Sequence, residues 1–172
     1  IKLSQENSVI YYSNLYLSAF DKCDILAGWE PHGEYIGHIA QSHAFMQNCY
    51  KEKMFVWAYV FDIFHYIYNN PWTQALKGKR ILLISPFQET LQEQIPNRHL
   101  FYDGIDLFPD CQFITLIPPQ TQADQASAEF AVEFDKFKSN VDDLLSYFDV
   151  ALVSCGGYAN PICSHIFSKG KS

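Results

Sequence analysis

The sequence predicts an α/β fold with an open, mostly parallel sheet and helices on both faces. Three short apolar runs in the C-terminal half have the length of buried strands, and a segment with helical character follows each of them. This alternation is typical of a doubly wound parallel sheet, because parallel neighbours need a crossover connection between them. With 172 residues the chain can bury a substantial core, and we expect one domain over residues 1–172.

The first strand and helix are predicted at residues 79–95. Residues 79–85 form an apolar run that basic residues open and Pro86 closes, which indicates a buried strand. A helix is predicted over 89–95, and Pro96 ends it.

The second and third pairs follow the same pattern. Residues 111–117 and 149–154 are predicted to be strands. The helix between them, over about 123–148, is predicted from apolar residues at helical spacing: Phe130, Phe134, Phe137, Val141, Leu144, Leu145 and Phe148. Two glycines after the third strand precede a helix over about 161–169.

The N-terminal part of the sequence is less regular. Residues 8–20 are predicted to be a helix, and residues 24–29 a short buried strand. The apolar and aromatic run at 53–68 is compatible with a strand, a helix or both. A short helix is expected to begin with Asn70 as its N-cap and to end at Gly78.

Composition and charge exclude several classes of function. Apolar residues make up 48% of the chain and charged residues 18%, which argues against a disordered segment. The net charge of −7 argues against nucleic-acid binding, which requires a basic surface. No apolar run is long enough for a transmembrane segment. The five cysteines are odd in number and form no Cys-x-x-Cys pair, so we expect no structural zinc and a reducing, cytoplasmic location.

The strongest local signal is the Gly156-Gly157 turn, where a predicted strand passes into a helix. Glycines let the backbone approach a ligand, and free N–H groups at the start of a helix favour an anion such as a diphosphate. Ligands of open parallel sheets bind at the carboxyl ends of the strands, where this turn lies. The alternative is that the glycines only make a tight turn, since the full dinucleotide-binding spacing is absent.

A second candidate site follows the first predicted strand. Ser85 or Thr90 is placed to cap the helix or to bind a ligand oxygen, and Glu89 to act as an acid, a base or a hydroxyl anchor. Arg98 lies past the helix, from where it could return to the same edge and bind an anion. The alternative is helix capping together with a surface ion pair.

The histidines form no pattern typical of a metal site. None of the six has a second histidine at the i+4 spacing of a metalloprotease helix. His32 and Glu34 flank Gly33 in a loop, a position from which acid–base residues often act. Cys155 is the one cysteine placed at a strand end where a nucleophile could act, although a buried thiol there usually serves packing.

The residues from 55 to 68 are almost wholly apolar and aromatic. The simplest interpretation is core or an inter-subunit surface, so a homo-oligomer is one expectation. Exposed tyrosines and tryptophans would instead suit stacking on a sugar ring or a base.

Two segments carry a resemblance to a known family. Residues 70–90 read Asn-Pro-Trp-Thr-Gln-Ala-Leu-Lys-Gly-Lys-Arg-Ile-Leu-Leu-Ile-Ser-Pro-Phe-Gln-Glu-Thr, and residues 148–158 read Phe-Asp-Val-Ala-Leu-Val-Ser-Cys-Gly-Gly-Tyr. They resemble a group found in polysaccharide biosynthesis that is similar to the GT-D-type glycosyltransferases, whose sheet is Rossmann-like. The likeness covers roughly residues 10–172; its specific segments are 70–90 and 148–170, and the rest matches only in outline.

The resemblance implies transfer of a sugar from a nucleotide-diphosphate donor to a glycan acceptor. The residues expected to bind substrate are then Ser85, Thr90, Arg98, Gly156, Gly157 and Tyr158, and those expected to act in catalysis are Glu89 and Glu34. The GT-D-type enzymes carry an Asp-x-Glu-type motif associated with a divalent metal, so Mn²⁺ or Mg²⁺ is an expected cofactor. That motif is not found here, and because the chain begins at Ile1 we expect a fragment of a longer protein.

Two other functions remain open at this point. One is a non-catalytic Rossmann-like module that binds a nucleotide or a partner within a larger protein. The other is a hydrolase of nucleotide sugars or nucleosides that uses Cys155 or Glu89. The fold class alone does not choose among them.

Overall fold

The computed structural model of the chain describes residues 1–29, 36–61, 71–100, 107–108, 110–121 and 125–172. They form two compact units, one of Ile1–Ala19 with Thr73–Ser172 and the other of Phe20–Trp72. Among these residues the architecture is mixed α/β, with five α-helices and with parallel strands in two small sheets. The predicted α/β class and parallel pairing are therefore confirmed.

The single open sheet with helices on both faces is not clearly formed by the described residues, because their strands pair as one sheet of two and one of three. Strand pairing is decided by packing between distant segments, which the local pattern of apolar residues does not encode. The single domain that the sequence predicts stays a prediction.

The smaller unit contains a β-α-β segment. Strand β1 (Ile25–Gly28), helix α2 (Ile36–Cys49) and strand β2 (Met54–Trp57) follow one another, and β1 pairs with β2 in parallel. A Cβ atom on Gly28 would lie 2.5 Å from Phe55 Cζ, so this glycine lets the aromatic ring of β2 cross β1 closely. The strand predicted at 24–29 is confirmed.

The aromatic run begins as a strand and then changes conformation. After β2 comes a 3₁₀ turn at Ala58–Phe61, and residues 62–70 lie outside the described part of the chain. A second 3₁₀ turn at Trp72–Leu76 takes the place of the α-helix that was predicted to end at Gly78. Gly78 has a φ of 75°, a left-handed conformation that glycine adopts without strain, and it leads into the next strand.

The larger unit contains a three-stranded parallel sheet in the order β4-β3-β5. Its strands are β3 (Arg80–Ile84), β4 (Gln112–Leu116) and β5 (Val150–Val153). Strand β3 lies in the middle, paired with β4 on one side and with β5 on the other. All three strands predicted in the C-terminal half are confirmed.

Four more helices of the described chain lie close to where the sequence predicts them. Helix α1 spans Glu6–Lys22, and helix α3 spans Gln88–Gln94 and continues as a 3₁₀ turn at Ile95–Leu100. Helix α4 spans Phe130–Asp142, which is shorter than predicted, and helix α5 spans Ala159–Ser168. No helix in the described part of the chain combines the length and apolar character needed to cross a bilayer.

Helix α4 contributes one buried stripe to the core of the larger unit. Its inward side chains, no more than 2% exposed, are Phe130, Phe134, Phe137 and Val141. They pack with Leu82 and Ile84 of β3 and with Tyr158 and Ile162 at the start of α5. The aromatic rings of Phe130 and Phe134 stack with centroids 5.2 Å apart. Aromatic as well as aliphatic contacts therefore stabilise the packing of this helix.

An ion pair joins the amino ends of β3 and β5. Arg80 Nη2 lies 2.6 Å from Asp149 Oδ1, and Arg80 Nε donates to Asp149 Oδ2 at 3.2 Å. The backbone N–H of Arg80 donates to the same carboxylate, and the N–H of Asp149 donates to Arg80 O at 2.8 Å. These donors hold the pKa of the Asp149 carboxyl well below its usual range.

We expect Phe137→Ala to lower the free energy of unfolding by about 3–5 kcal/mol, because it leaves a cavity in a fully packed stripe. The matched control is Val132→Ala on the same helix, whose side chain is 48% exposed and whose loss should cost less than about 0.5 kcal/mol. Urea unfolding followed by circular dichroism measures both. Equal losses for the two variants would contradict this account of the core.

We expect Asp149→Asn to lower the melting temperature near neutral pH. The pKa of Asp149 is depressed in the folded chain, so its stabilisation is present above the unfolded pKa of ~3.9 and is lost as the pH falls below it. The difference between wild type and variant should therefore shrink between about pH 6 and pH 2. Asp143→Asn, at an exposed turn, is the control. A difference that does not change with pH would refute the role of the carboxylate charge.

Candidate functional site

The carboxyl ends of β3 and β5 form the candidate site. Ile84 pairs with Val153 in the parallel register, and Ser154 N donates to Ile84 O at 2.8 Å. The segments that begin at Ser85 and Ser154 therefore leave the sheet side by side. The connection from β3 leads to β4 on one side, and the connection from β4 leads back past β3 to β5. In open parallel sheets, ligands bind at the carboxyl edge where successive connections diverge in this way.

Gly156 has the backbone geometry expected of a ligand-facing turn. Its φ is 56°, which a side chain would strain, and a Cβ placed there would meet no atom within 4 Å. A 3₁₀ turn at Gly156–Tyr158 then leads into α5. The N–H groups of Gly156 and Gly157 donate to no acceptor among the residues that the structure describes. Two unpaired donors at the start of a helix favour an anion.

Gly157 is instead covered by the N-terminal segment, a contact that the sequence analysis did not foresee. A Cβ atom there would collide with Ile1 Cδ1, and the hydroxyl of Tyr12 donates to Gly157 O at 3.1 Å. The segment is held in place because Phe130 N donates to Lys2 O at 3.0 Å. The free side of the turn is therefore the side of Gly156.

The loop after β3 is built around Ser85. Its Oγ accepts a hydrogen bond from Phe87 N at 3.3 Å, which shapes the turn before α3. The Phe87 ring is 67% exposed at this edge. Glu89 and Thr90 are exposed in the first turn of α3. Ser85, Glu89 and Thr90 thus belong to the loop and the helix that begin beside the Gly156 turn.

Tyr158 lies in the core and is only 3% exposed. Its ring stacks on Phe130 with centroids 5.3 Å apart and meets Phe137 edge-on at 6.2 Å. The predicted role of Tyr158 beside a diphosphate is thus replaced by a packing role for the ring. The sequence did not distinguish the two, because a tyrosine after a glycine pair suits either environment.

Arg98 lies at the opposite end of the sheet from Ser85. Its guanidinium donates to Ile95 O and Phe108 O, both at 3.1 Å, and lies 5.6 Å from the ring centroid of Phe113. Phe113 pairs with Ile81 near the amino end of β3, because α3 leads the chain away from the carboxyl edge. The structure therefore does not bring Arg98 back to the candidate site, contrary to expectation.

Cys155 has the properties of a packed thiol. Burial, with a smaller contribution from the neighbouring Cys163, raises the pKa of Cys155 to about 12. The thiolate needed for nucleophilic attack is therefore scarce at neutral pH. The side chain packs against the core. This favours the structural interpretation of Cys155 over the nucleophilic one.

The His165 side chain is paired away from the candidate site. His165 Nε2 lies 2.7 Å from Asp142 Oδ1, in a contact between the C-terminal ends of α4 and α5 that Lys169 extends. Glu34, His32 and His65 lie outside the described residues.

The metal that the resemblance implies has no matching ligand set in the described ranges. No group of three His, Cys, Asp or Glu side chains there comes together in a way that could hold a metal ion. At the candidate edge the carboxylate of Glu89 is exposed, and it makes no hydrogen bond or ion pair with a described residue. The described residues therefore do not fit a divalent metal site.

A groove lies between α3 and β4, and the sequence did not predict it. It has a volume of about 430 Å³ and is lined by Gln88, Gln92, Ile95, Pro96, Phe113, Ile114 and Thr115. No sequence signal identified it, because its two glutamines and its threonine are brought together only when α3 packs on β4.

No protein-family model matches the chain, and neither a curated protein nor a solved structure matches it.

We expect Cys155 to resist alkylation in the folded chain, because burial keeps its thiol protonated and enclosed. Treatment with iodoacetamide at about pH 8, followed by peptide mass spectrometry, should modify the exposed Cys49 much faster. Labelling in urea is the control and should remove the difference. Equal rates in the folded chain would restore Cys155 as a candidate nucleophile.

Proposed function

We propose that the edge formed by β3 and β5 binds a nucleotide-diphosphate sugar, and that the chain is a glycosyltransferase-like domain that transfers the sugar to a glycan acceptor. The observation that carries the proposal is the position of two ligand-type turns on neighbouring strands, at the point where the connections of the sheet diverge. The resemblance of residues 70–90 and 148–158 supports the same function.

A Rossmann-like arrangement of this unit is part of the proposal. On β4, Thr115 contacts Gln88 of α3, whereas the neighbouring Ile114 and Leu116 pack with the core formed by α4 and α5. Successive residues of a strand point to opposite faces, so these contacts support helices on both faces of this sheet.

The backbone is the proposed holder of the diphosphate. The chain has only two arginines, and Arg80 is paired with Asp149 while Arg98 donates to backbone carbonyls. The N–H group of Gly156, which has no acceptor among the described residues, and the dipole of the ten-residue helix α5 supply partial positive charge without a cationic side chain. Ser85 lies in the adjacent loop, where its hydroxyl can bind a further phosphate or ribose oxygen.

The proposed reaction needs one base and a bound leaving group. The acceptor hydroxyl attacks the anomeric carbon, its proton passes to a carboxylate, and the bond from that carbon to the diphosphate oxygen breaks. Glu89 is the proposed carboxylate, since it projects from the first turn of α3 beside Ser85. The amide at Gly156 stabilises the negative charge of the departing nucleotide diphosphate.

The second candidate function is nucleotide binding without catalysis. It is favoured by the isolation of Glu89, because a catalytic base is ordinarily oriented by hydrogen bonds and Glu89 makes none with the residues that the structure describes. Product analysis separates the functions: a transferase forms a glycoside with the acceptor, a hydrolase releases free sugar, and a binding module forms neither.

Binding is tested by calorimetry of the full chain with nucleotide-diphosphate sugars that differ in base and sugar. We expect at least one to bind, and Gly156→Ala to weaken that binding by about tenfold, because the side chain disfavours the left-handed φ and a shifted backbone turns the amide away from the diphosphate, at about the cost of one hydrogen bond to a charged group. The matched control is Gly170→Ala, because Gly170 also has a left-handed φ, of 76°, and open space around it. Both variants pay a similar backbone strain of about 1–2 kcal/mol.

The Gly170 variant should bind as tightly as wild type. Absence of binding by wild type to every sugar nucleotide in the panel would overturn the proposal, and so would equal loss of binding in both glycine variants. Glu89→Gln should abolish transfer while leaving binding intact; transfer at the wild-type rate would remove Glu89 from the mechanism.

A further inference from the structure

We propose that the groove between α3 and β4 is a binding site for a neutral carbohydrate. Its volume of about 430 Å³ lies within the range of small-molecule sites. The groove adjoins the candidate nucleotide edge, because α3 begins at Gln88, directly after the loop of Ser85–Phe87. Its use as the acceptor subsite rests on the proposed glycosyltransferase function, whereas carbohydrate binding itself does not.

The polar groups of the groove converge on one hydroxyl. Gln88 Nε2 donates to Thr115 Oγ1 at 2.9 Å, and Gln92 Nε2 donates to the same oxygen at 3.2 Å. An oxygen that accepts two hydrogen bonds still carries its own hydrogen, which is left to donate. The amide oxygens of both glutamines have no donor among the described residues, so they are left to accept. A sugar hydroxyl both donates and accepts, and it matches this set.

The apolar part of the groove suits the C–H face of a sugar ring. Ile95, Pro96 and Phe113 contribute apolar surface next to the polar groups. The Arg98 guanidinium lies 5.6 Å from the Phe113 ring centroid and donates hydrogen bonds to backbone carbonyls. These contacts hold the Phe113 ring in place at the side of the groove. Sugar-binding sites need this pairing of apolar and hydrogen-bonding surface, because a pyranose presents both.

The charge of the lining selects the class of ligand. None of the seven lining residues is ionisable at neutral pH. An anionic ligand such as a nucleotide diphosphate or an acidic glycan would lose its hydration there without a counter-charge among the lining side chains, and the Arg98 guanidinium behind Phe113 already donates to two backbone carbonyls. A neutral oligosaccharide would not bear this cost.

An added peptide strand is disfavoured at the same place. Gln112 N and Leu116 O bond toward β3, so by alternation the backbone groups of Thr115 point to the outer edge of β4. There the Gln88 amide already donates to Thr115 O at 3.2 Å, and this carbonyl is one that an added strand would need.

The test uses the full chain and three probes: a panel of neutral pentasaccharides of glucose or N-acetylglucosamine, a pentagalacturonate, and an extended polar peptide. Nuclear magnetic resonance follows the side-chain amides of Gln88 and Gln92, and calorimetry gives the affinities. We expect a neutral pentasaccharide to shift both amide signals and to bind more tightly than the other probes. No binding of any neutral probe, or preference for the acidic probe or the peptide, would overturn the proposal.

Two matched variants locate the binding. Gln92→Ala should weaken pentasaccharide binding by about fivefold, the effect of one hydrogen bond, whereas Gln94→Ala on the same helix should change it less than twofold. Both glutamines are exposed, so neither change should unfold the chain. Thr115→Val, which removes the shared hydroxyl, should weaken binding at least as much as Gln92→Ala. Equal affinity of wild type, Gln92→Ala and Thr115→Val would refute the assignment.

The two proposals fail separately. Gln92→Ala should leave the affinity for sugar nucleotides unchanged, and Gly156→Ala should leave pentasaccharide binding unchanged. Pentasaccharide binding by a chain that binds no nucleotide would retain the carbohydrate site and reject the transferase.

Discussion

The larger unit depends on the position of β3 between two parallel partners. Ile81, Leu82 and Ile84 have no exposed surface, which requires neighbours at both edges and cover on both faces. The pairing with β5 is anchored at one end by the Arg80–Asp149 ion pair and at the other by the bond from Ser154 N to Ile84 O. A slip by one residue would separate both of these contacts, so they determine the register. The same register brings the Ser85 and Gly156 turns to one edge.

The glycine pair after β5 combines two physical roles. Gly156 supplies a left-handed backbone angle with open space beside it, whereas Gly157 makes room for Ile1 and Tyr12. The N-terminal segment therefore stabilises the turn on one side while the other side faces the candidate ligand. The chain has a net charge of −7, so its overall charge does not attract an anion. With both arginines engaged, attraction of an anion to this edge falls to the backbone amides and the dipole of α5.

The candidate nucleotide edge and the α3–β4 groove differ in chemistry, and the proposed function assigns them to the donor and to the acceptor. The edge offers unpaired N–H groups to a charged group, and the groove offers amides, a hydroxyl and apolar surface to an uncharged one. Helix α3 connects them, since its first turn carries Glu89 and the side that faces β4 carries Gln92. In the proposed function, the Glu89 carboxylate at the start of this helix would lie between the donor and a sugar held along the helix.

The sequence by itself determined the α/β class, the three C-terminal strands and the buried stripe of α4, because each follows from a repeat of apolar residues along a short segment. It also located the Ser85 and Gly156 turns, since both follow buried runs. Only the tertiary structure decided the division of the strands into two sheets, the burial of Tyr158, the distance of Arg98 from the site and the glutamine pair on Thr115. The partners in these contacts are far apart in the chain, as with Gln88 and Thr115, 27 residues apart. Which distant surfaces meet is set by the packing of the whole core, and no local pattern of residues records it.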